Sequence, residues 1–208
     1  MMLPTHALVG MALALPVAFA APELAGPALL AGLLGGVFPD LDMYVEHRKS
    51  LHYPVYYSAL AVPVVAVAGL VPSVATAFAA FFLVGAAVHS VADVFGGGLE
   101  LRPWEATSDR AVYDHHGERW IEPRRWVRYD GSPGDLLLSG ALAVPLLVTL
   151  EGLFYGVVVA ALAVAVVYTA VRRLLPALAA ALVEEVLSPR LPDHLLAYVP
   201  ARYREADY

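Results

Sequence analysis

The chain of 208 residues contains no cysteine, a single lysine and few charges of either sign. Without cysteine, disulfides and thiolate metal sites are both excluded, so any metal must rest on His, Asp and Glu. Only 15% of the residues are charged, where a soluble domain carries about a quarter. Hydrophobic residues make up 60% and the mean hydropathy is +0.66. A surface this poor in charge faces lipid rather than water, and the composition reads as one membrane domain. The net charge of -6 offers no basic footprint, so no nucleic-acid partner is evident and the expected partner is the bilayer itself.

What the chain has instead is apolar runs. They extend over Leu3 to Ala21, Leu24 to Phe38, Pro54 to Val71, Ser73 to Phe95, Leu136 to Leu150 and Gly152 to Val171. A spanning helix needs roughly 17 to 25 such residues. Four runs reach that length, while the second and fifth are short and must borrow flanking residues or form re-entrant hairpins. The fold expected is all-α: a polytopic membrane protein of about six transmembrane helices in three tight pairs, joined at Pro22-Glu23, Pro72 and Glu151-Gly152.

Charge orients these spans. All 13 Lys and Arg lie in three places: Arg48 with Lys49, the stretch from Arg102 to Arg128, and the tail from Arg172 onward. Alternating basic and non-basic connections are what an even number of spans gives, with the basic side cytoplasmic. Both termini are therefore expected in the cytoplasm, in a cell (inner) membrane. The triplet Ala18, Phe19, Ala20 resembles a secretory cleavage site, but no Lys or Arg precedes it, so the first helix is expected to be retained.

The transmembrane domain is expected over residues 1–171, with one polar cytoplasmic insertion at 96–135 between helices four and five. That insertion holds all three tryptophans (Trp104, Trp120, Trp126) and alternates apolar residues on either side of His116-Gly117, the pattern of a short β-hairpin. It suits a cap at the headgroup level or a structured loop without chemistry of its own. Residues 172–208 read as an interfacial helix, "LLPALAAALVEEVL", followed by a weakly ordered tail.

On this topology His6, His47, His52, His89, His115, His116 and His194 all fall on the cytoplasmic side, with Asp40, Asp42 and Asp93. Four stretches scattered along 90 residues thus converge at one membrane face. His89 and Asp93 are four residues apart at the end of helix four, hence on one helical face with about 5–6 Å between β-carbons. An imidazole and a carboxylate so placed can reach one divalent ion. Zinc suits that donor set, and so do manganese and iron. The alternative is that His89 and Asp93 only hydrogen-bond each other or a neighbouring helix.

The motifs "TH" at 5–6, "PDLD" at 39–42, "HRKSLH" at 47–52 and "HSVAD" at 89–93 resemble, in this order, those of the YdjM-like family of inner-membrane metal-dependent hydrolases. The third motif departs from the family's H-R-G-x-T-H-S at Lys49, Leu51 and Tyr53. More remotely the pattern is similar to the zinc-dependent phospholipase C and nuclease superfamily. The resemblance implies that Asp40, His52, His89 and Asp93 bind one ion and His6 a second, bridged by Asp93. Asp42 and His47 remain as outer partners or alternative ligands. The superfamily's further H-x-x-x-E motif has no counterpart, so a three-metal site is not expected.

The resemblance and the membrane topology together imply a membrane hydrolase that cleaves a phosphoester or other ester of an amphiphile at the cytoplasmic face. Asp42 or the bridging carboxylate would act as general base. Arg48 would neutralise a phosphate oxygen, since guanidinium matches phosphate bidentately, or would serve only as a positive-inside anchor. Two other classes share these residues. An ion- or proton-coupled transporter also keeps His and Asp within its helices, although its site belongs near the midplane between repeats. A non-catalytic protein could use the cluster for stability alone.

Overall fold

The computed structural model describes residues 1–196, 198 and 199. The chain forms helices α1 (Leu3–Ala14), α2 (Val17–Ala20), α3 (Pro22–Val37), α4 (Pro54–Leu70), α5 (Val74–Ala92), α6 (Pro133–Thr149), α7 (Gly152–Val171), α8 (Leu175–Ala181) and α9 (Asp193–Leu196). Prolines near the first helical position open α1, α3, α4, α6 and α8, where the missing N–H would have had no partner. Ser73 opens α5 through a reciprocal capping box with Thr76. Pro16 separates α1 from α2, since its ring cannot continue a helix.

Among the described residues, four helical stretches are long and apolar enough to cross a membrane: Leu3–Ala20, Pro22–Met43, Val74–Phe95 and Gly152–Val171. The second run thus borrows flanking residues at both ends, the first of the two alternatives its short length left open. A 3₁₀ helix (Phe38–Tyr44) continues α3 past Pro39, which is tolerated at the start of the new turn. Conversely α4 is one of two shorter apolar helices, with α6. It stops at Leu70 because Val71, before Pro72, is drawn out of helical geometry.

Helices α1, α3 and α5 form the centre of the bundle, with α4 against α5 and with α6 and α7 against α1. The apolar core gathers Leu8, Met11 and Ala14 of α1 with Ala28 and Leu29 of α3, Leu146 of α6 and Val158 of α7. Glycines let the three central backbones approach. A β-carbon at Gly10 would strike the carbonyl of Gly32, and one at Gly36 would strike that of His6. Gly85 of α5 would meet the backbone of Gly36 at 2.9 Å. Small residues at crossing points are the usual means of close helix packing where no hydrophobic force acts between apolar surfaces.

A second, polar contact fixes α1 to α6. Thr5 donates from Oγ1 to Asp135 Oδ1 at 2.6 Å and lies 2.7 Å from Ser139 Oγ, while the amides of Met2 and Gly131 donate to Asp135 Oδ2. A buried carboxylate is tolerated when its lone pairs are filled this way.

Between α5 and α6, strands β1 (Val112–Asp114) and β2 (Arg119–Ile121) pair antiparallel, with Tyr113 opposite Trp120. The pair packs on the loop before α4: the Tyr113 amide donates to the Arg48 carbonyl at 2.9 Å, and His115 Nε2 lies 2.7 Å from the Lys49 carbonyl. The His115 ring stacks on Tyr53. After α7, α8 runs into a π-helical turn over Leu182–Leu187. Apart from Tyr198 and Val199, the tail expected to be weakly ordered lies outside the described residues.

Candidate metal centre

At one end of the bundle four side chains from two helices and a loop point inward. Asp40 comes from the 3₁₀ extension of α3, His52 from the loop before α4, His89 from the last turn of α5 and Asp93 from its C-cap. Each offers one donor atom, and the four atoms lie within 4.8 Å of one another. Asp40 Oδ1 is 3.7 Å from His52 Nε2, which is 3.4 Å from Asp93 Oδ2. Asp93 Oδ2 is 3.7 Å from His89 Nε2, which closes the ring at 3.4 Å from Asp40 Oδ1. Donors held about 2.0–2.2 Å from a tetrahedral ion lie about 3.3–3.6 Å apart. The spacing fits one divalent cation with slight contraction.

The ring nitrogens show the same orientation. His89 Nδ1 lies 2.6 Å from the Gly36 carbonyl, and His52 Nδ1 lies 3.0 Å from Asp42 Oδ2. Each Nδ1 is thereby engaged outward, and each Nε2 is turned into the ring. Both Nε2 atoms are buried, and among the described residues they face only the Asp40 and Asp93 carboxylates at 3.4–3.7 Å, without a hydrogen bond of ordinary geometry. A histidine fixed through one nitrogen, with the other bare and buried, is the arrangement of a metal ligand. A hydrogen-bonded structural histidine would instead have both nitrogens satisfied.

The glycine contacts explain why the ligands meet. Gly36 brings α3 within van der Waals reach of both α1 and α5, and its carbonyl is the one that holds His89. The loop before α4 is held by Asp42, which is 1% exposed. Its oxygens accept from the amides of Arg48 and Leu51 and from Nδ1 of His47 and His52, at 3.0–3.3 Å. Arg48 takes a left-handed backbone (φ 61°), bracketed by Asp42 on one side and β1 on the other. Burial opposes a charge on His52, but Asp42 and Asp93 beside it outweigh that and raise its pKa above the ordinary 6.5.

The chain was compared with protein-family models, curated proteins and solved structures. It matches none of them. Function therefore has to be read from the geometry.

Among the sequence-expected residues, the structure brings Asp40, His52, His89 and Asp93 into the ring and leaves three beside it. His6 stacks on His89 with 3.7 Å between ring centroids, and its Nε2 lies 3.0 Å from Asp93 Oδ1, the oxygen turned away from the ring. That oxygen also accepts from the Met1 amino group at 2.6 Å. Asp42 stands behind His52 rather than at the ring, with both oxygens engaged. Arg48 is buried, its Nε 3.2 Å from Asp93 Oδ2 and one terminal nitrogen donating to the Gly97 carbonyl at 2.7 Å. Its guanidinium is thus buried against Asp93, beside the ring.

The carbonyls of Gly36 and Gly97 could not be foreseen from the sequence, because main-chain groups carry no residue signature. Nor was the part Asp135 plays in seating α1 beneath His6. Its signal was available in the Thr5-His6 pair, whose hydroxyl needs a buried partner.

Proposed function

We propose that this protein is a membrane-embedded, metal-dependent hydrolase that cleaves a phosphoester or other ester of an amphiphile at the cytoplasmic face. The observation that carries the reading is the pair of bare, buried Nε2 atoms facing two carboxylates at metal-ligand spacing. Zinc is the metal we assign, with manganese and iron sharing the same donor preference. When bound, such an ion lowers the pKa of water to about 7 and polarises the oxygen under attack. Asp40, His52, His89 and Asp93 would hold the ion, which would supply Lewis-acid activation there.

The chain's own residues supply the rest. Asp42 acts through the loop: it fixes the tautomer of His52 and that of His47, and its engaged oxygens leave it no place as the base expected from the sequence. His47 is 23% exposed at its side chain and borders a large cavity beside the ring, together with Asp40 and Arg48. With Nδ1 held on Asp42, its Nε2 is the nitrogen positioned to take a proton from water, the division of labour of a His–Asp pair. Arg48 places a fixed positive charge beside Asp93, where a phosphoryl oxygen would develop charge.

The test is elemental analysis of protein purified without added metal, read beside chelator-sensitive hydrolysis of bis-p-nitrophenyl phosphate. His89→Ala and Asp93→Ala should each lower bound divalent metal, while Arg102→Ala, far along the chain, should not. Each variant should remain in the membrane fraction, because insertion follows from the long apolar helices rather than from the cluster. Full metal occupancy in both Ala variants refutes the site. Metal bound without hydrolysis of any ester refutes the enzyme and leaves a metal-stabilised bundle.

A further inference from the structure

A cavity of about 700 Å³ runs from the candidate centre to α7 and α8. That volume lies within the usual range for small-molecule sites, about 300–1,000 Å³. Its two ends differ in chemistry. One end is bordered by Asp40, His47 and Arg48, and the other by Val164 of α7 with Leu175, Leu178 and Leu182 of α8 and its following turn.

The wall between the two ends carries a neutralised pair, Asp130 with Arg172, and the Glu100 carboxylate, whose oxygens are buried without a hydrogen-bond partner among the described residues. Arg172 donates to both oxygens of Asp130, at 2.8 and 3.2 Å, and the Tyr168 hydroxyl donates to the same carboxylate. The apolar end is also exposed at the surface. Val164, Leu178 and Leu182 line the cavity and are yet 56%, 60% and 51% exposed. They lie at its mouth, beside a helix long and apolar enough to cross a membrane, which also exposes Leu153, Val159 and Val167. A cavity with a polar floor at a charged cluster and an apolar mouth in the bilayer is built for a molecule with the same polarity along its length.

We infer that this cavity holds the alkyl chain of a membrane amphiphile, which enters sideways between α7 and α8 and presents an anionic, ester-linked head to Arg48 and the four-residue ring. The head-group end rests on the hydrolase reading. The chain-binding end rests on the cavity alone, so the two can fail separately.

The probe is a monoalkyl phosphate bearing a diazirine at the end of its chain, photolysed with the full-length protein in lipid nanodiscs and mapped by peptide mass spectrometry. Adducts are expected on Val164, Leu178, Ala179 or Leu182. Ala179→Trp, which fills the cavity, should lower those adducts several-fold, and Ala179→Leu by less. Val166→Trp, on α7 outside the cavity lining, should leave them unchanged. Wild-type metal content in the Ala179 variants shows that they are folded. Adducts spread equally over Leu153 and Val167, or cavity adducts unaffected by Ala179→Trp, overturn the inference. Labelling should persist in Asp93→Ala, which cannot turn the probe over. Cavity labelling in a protein that holds no metal would sink the hydrolase and sustain the cavity, and bound metal with dispersed labelling would do the reverse.

Discussion

Replacing Asp42 by Asn separates a positioning residue from a base. The carboxylate accepts four hydrogen bonds: from His52 Nδ1 and the Leu51 amide on one oxygen, and from His47 Nδ1 and the Arg48 amide on the other. Asparagine can keep one oxygen toward His52 and Leu51. Its NH₂ then faces His47, which is partly exposed and can change tautomer, and the Arg48 amide, whose bond is the longest of the four at 3.3 Å. The amide keeps His52 in place but withdraws the negative charge behind it, so the ligand nitrogen becomes less basic. Loss of such an outer partner costs about 10–100-fold in metal affinity, or about 1.4–2.7 kcal/mol. The assay is titration of chelator-stripped protein with zinc against a competing indicator, beside turnover at saturating metal. We expect weaker binding and turnover that is recovered in part when metal is raised. Unchanged affinity with abolished turnover would refute the reasoning and return Asp42 to the role of base.

Two other outcomes rest on the same geometry. Gly36→Ala forces a methyl group against the His6 carbonyl, at a cost of about 1–3 kcal/mol by overpacking, and should lower both the melting temperature and metal content. Gly69→Ala, with nothing within 4 Å, should change neither, and equal melting curves for the two variants would contradict the packing described. Metal affinity should fall on acidification from above pH 6.5, because His52, whose pKa is raised, holds its proton to higher pH than an ordinary histidine and the ion must displace it. In metal-free protein the sign reverses: the stability His52 contributes as a cation is full below its unfolded pKa and is lost as pH rises through the folded one. A zinc affinity flat from pH 8 to 5.5 would exclude His52 as a ligand.

Much of the centre was legible before the fold. His89 and Asp93 could be paired from helical spacing alone, and Asp40 and His52 could be brought to them because the apolar runs return the chain to one end. Only the beginnings and ends of segments are needed for that, and hydropathy reports those well. Hydropathy alone does not separate His6 from the ring; the resemblance set it apart on a second ion bridged by Asp93, and in the structure it faces the other oxygen of Asp93. Nor could Asp42 be assigned, because several of its partners are amides of its own loop. The break at Pro72 was legible, but the continuation past Pro39 was one of two alternatives, because the same residue can begin a new turn or end a helix and neighbouring backbone decides between them. The seating of β1 on Arg48 is a main-chain contact and leaves no trace in composition.

The ring draws its members from chain positions 40, 52, 89 and 93, so an ion held there would cross-link segments up to 53 residues apart. In a protein without cysteine this is the role a disulfide plays elsewhere: it ties distant segments together and narrows the unfolded ensemble. Unlike a disulfide, the tie is reversible and its strength depends on the free ion concentration, growing as RT ln(1 + [L]/Kd). The contact of α3 with α5, and the loop that leads into α4, would loosen together when the ion leaves. Metal supply would then set how long the folded bundle survives as well as how fast it works.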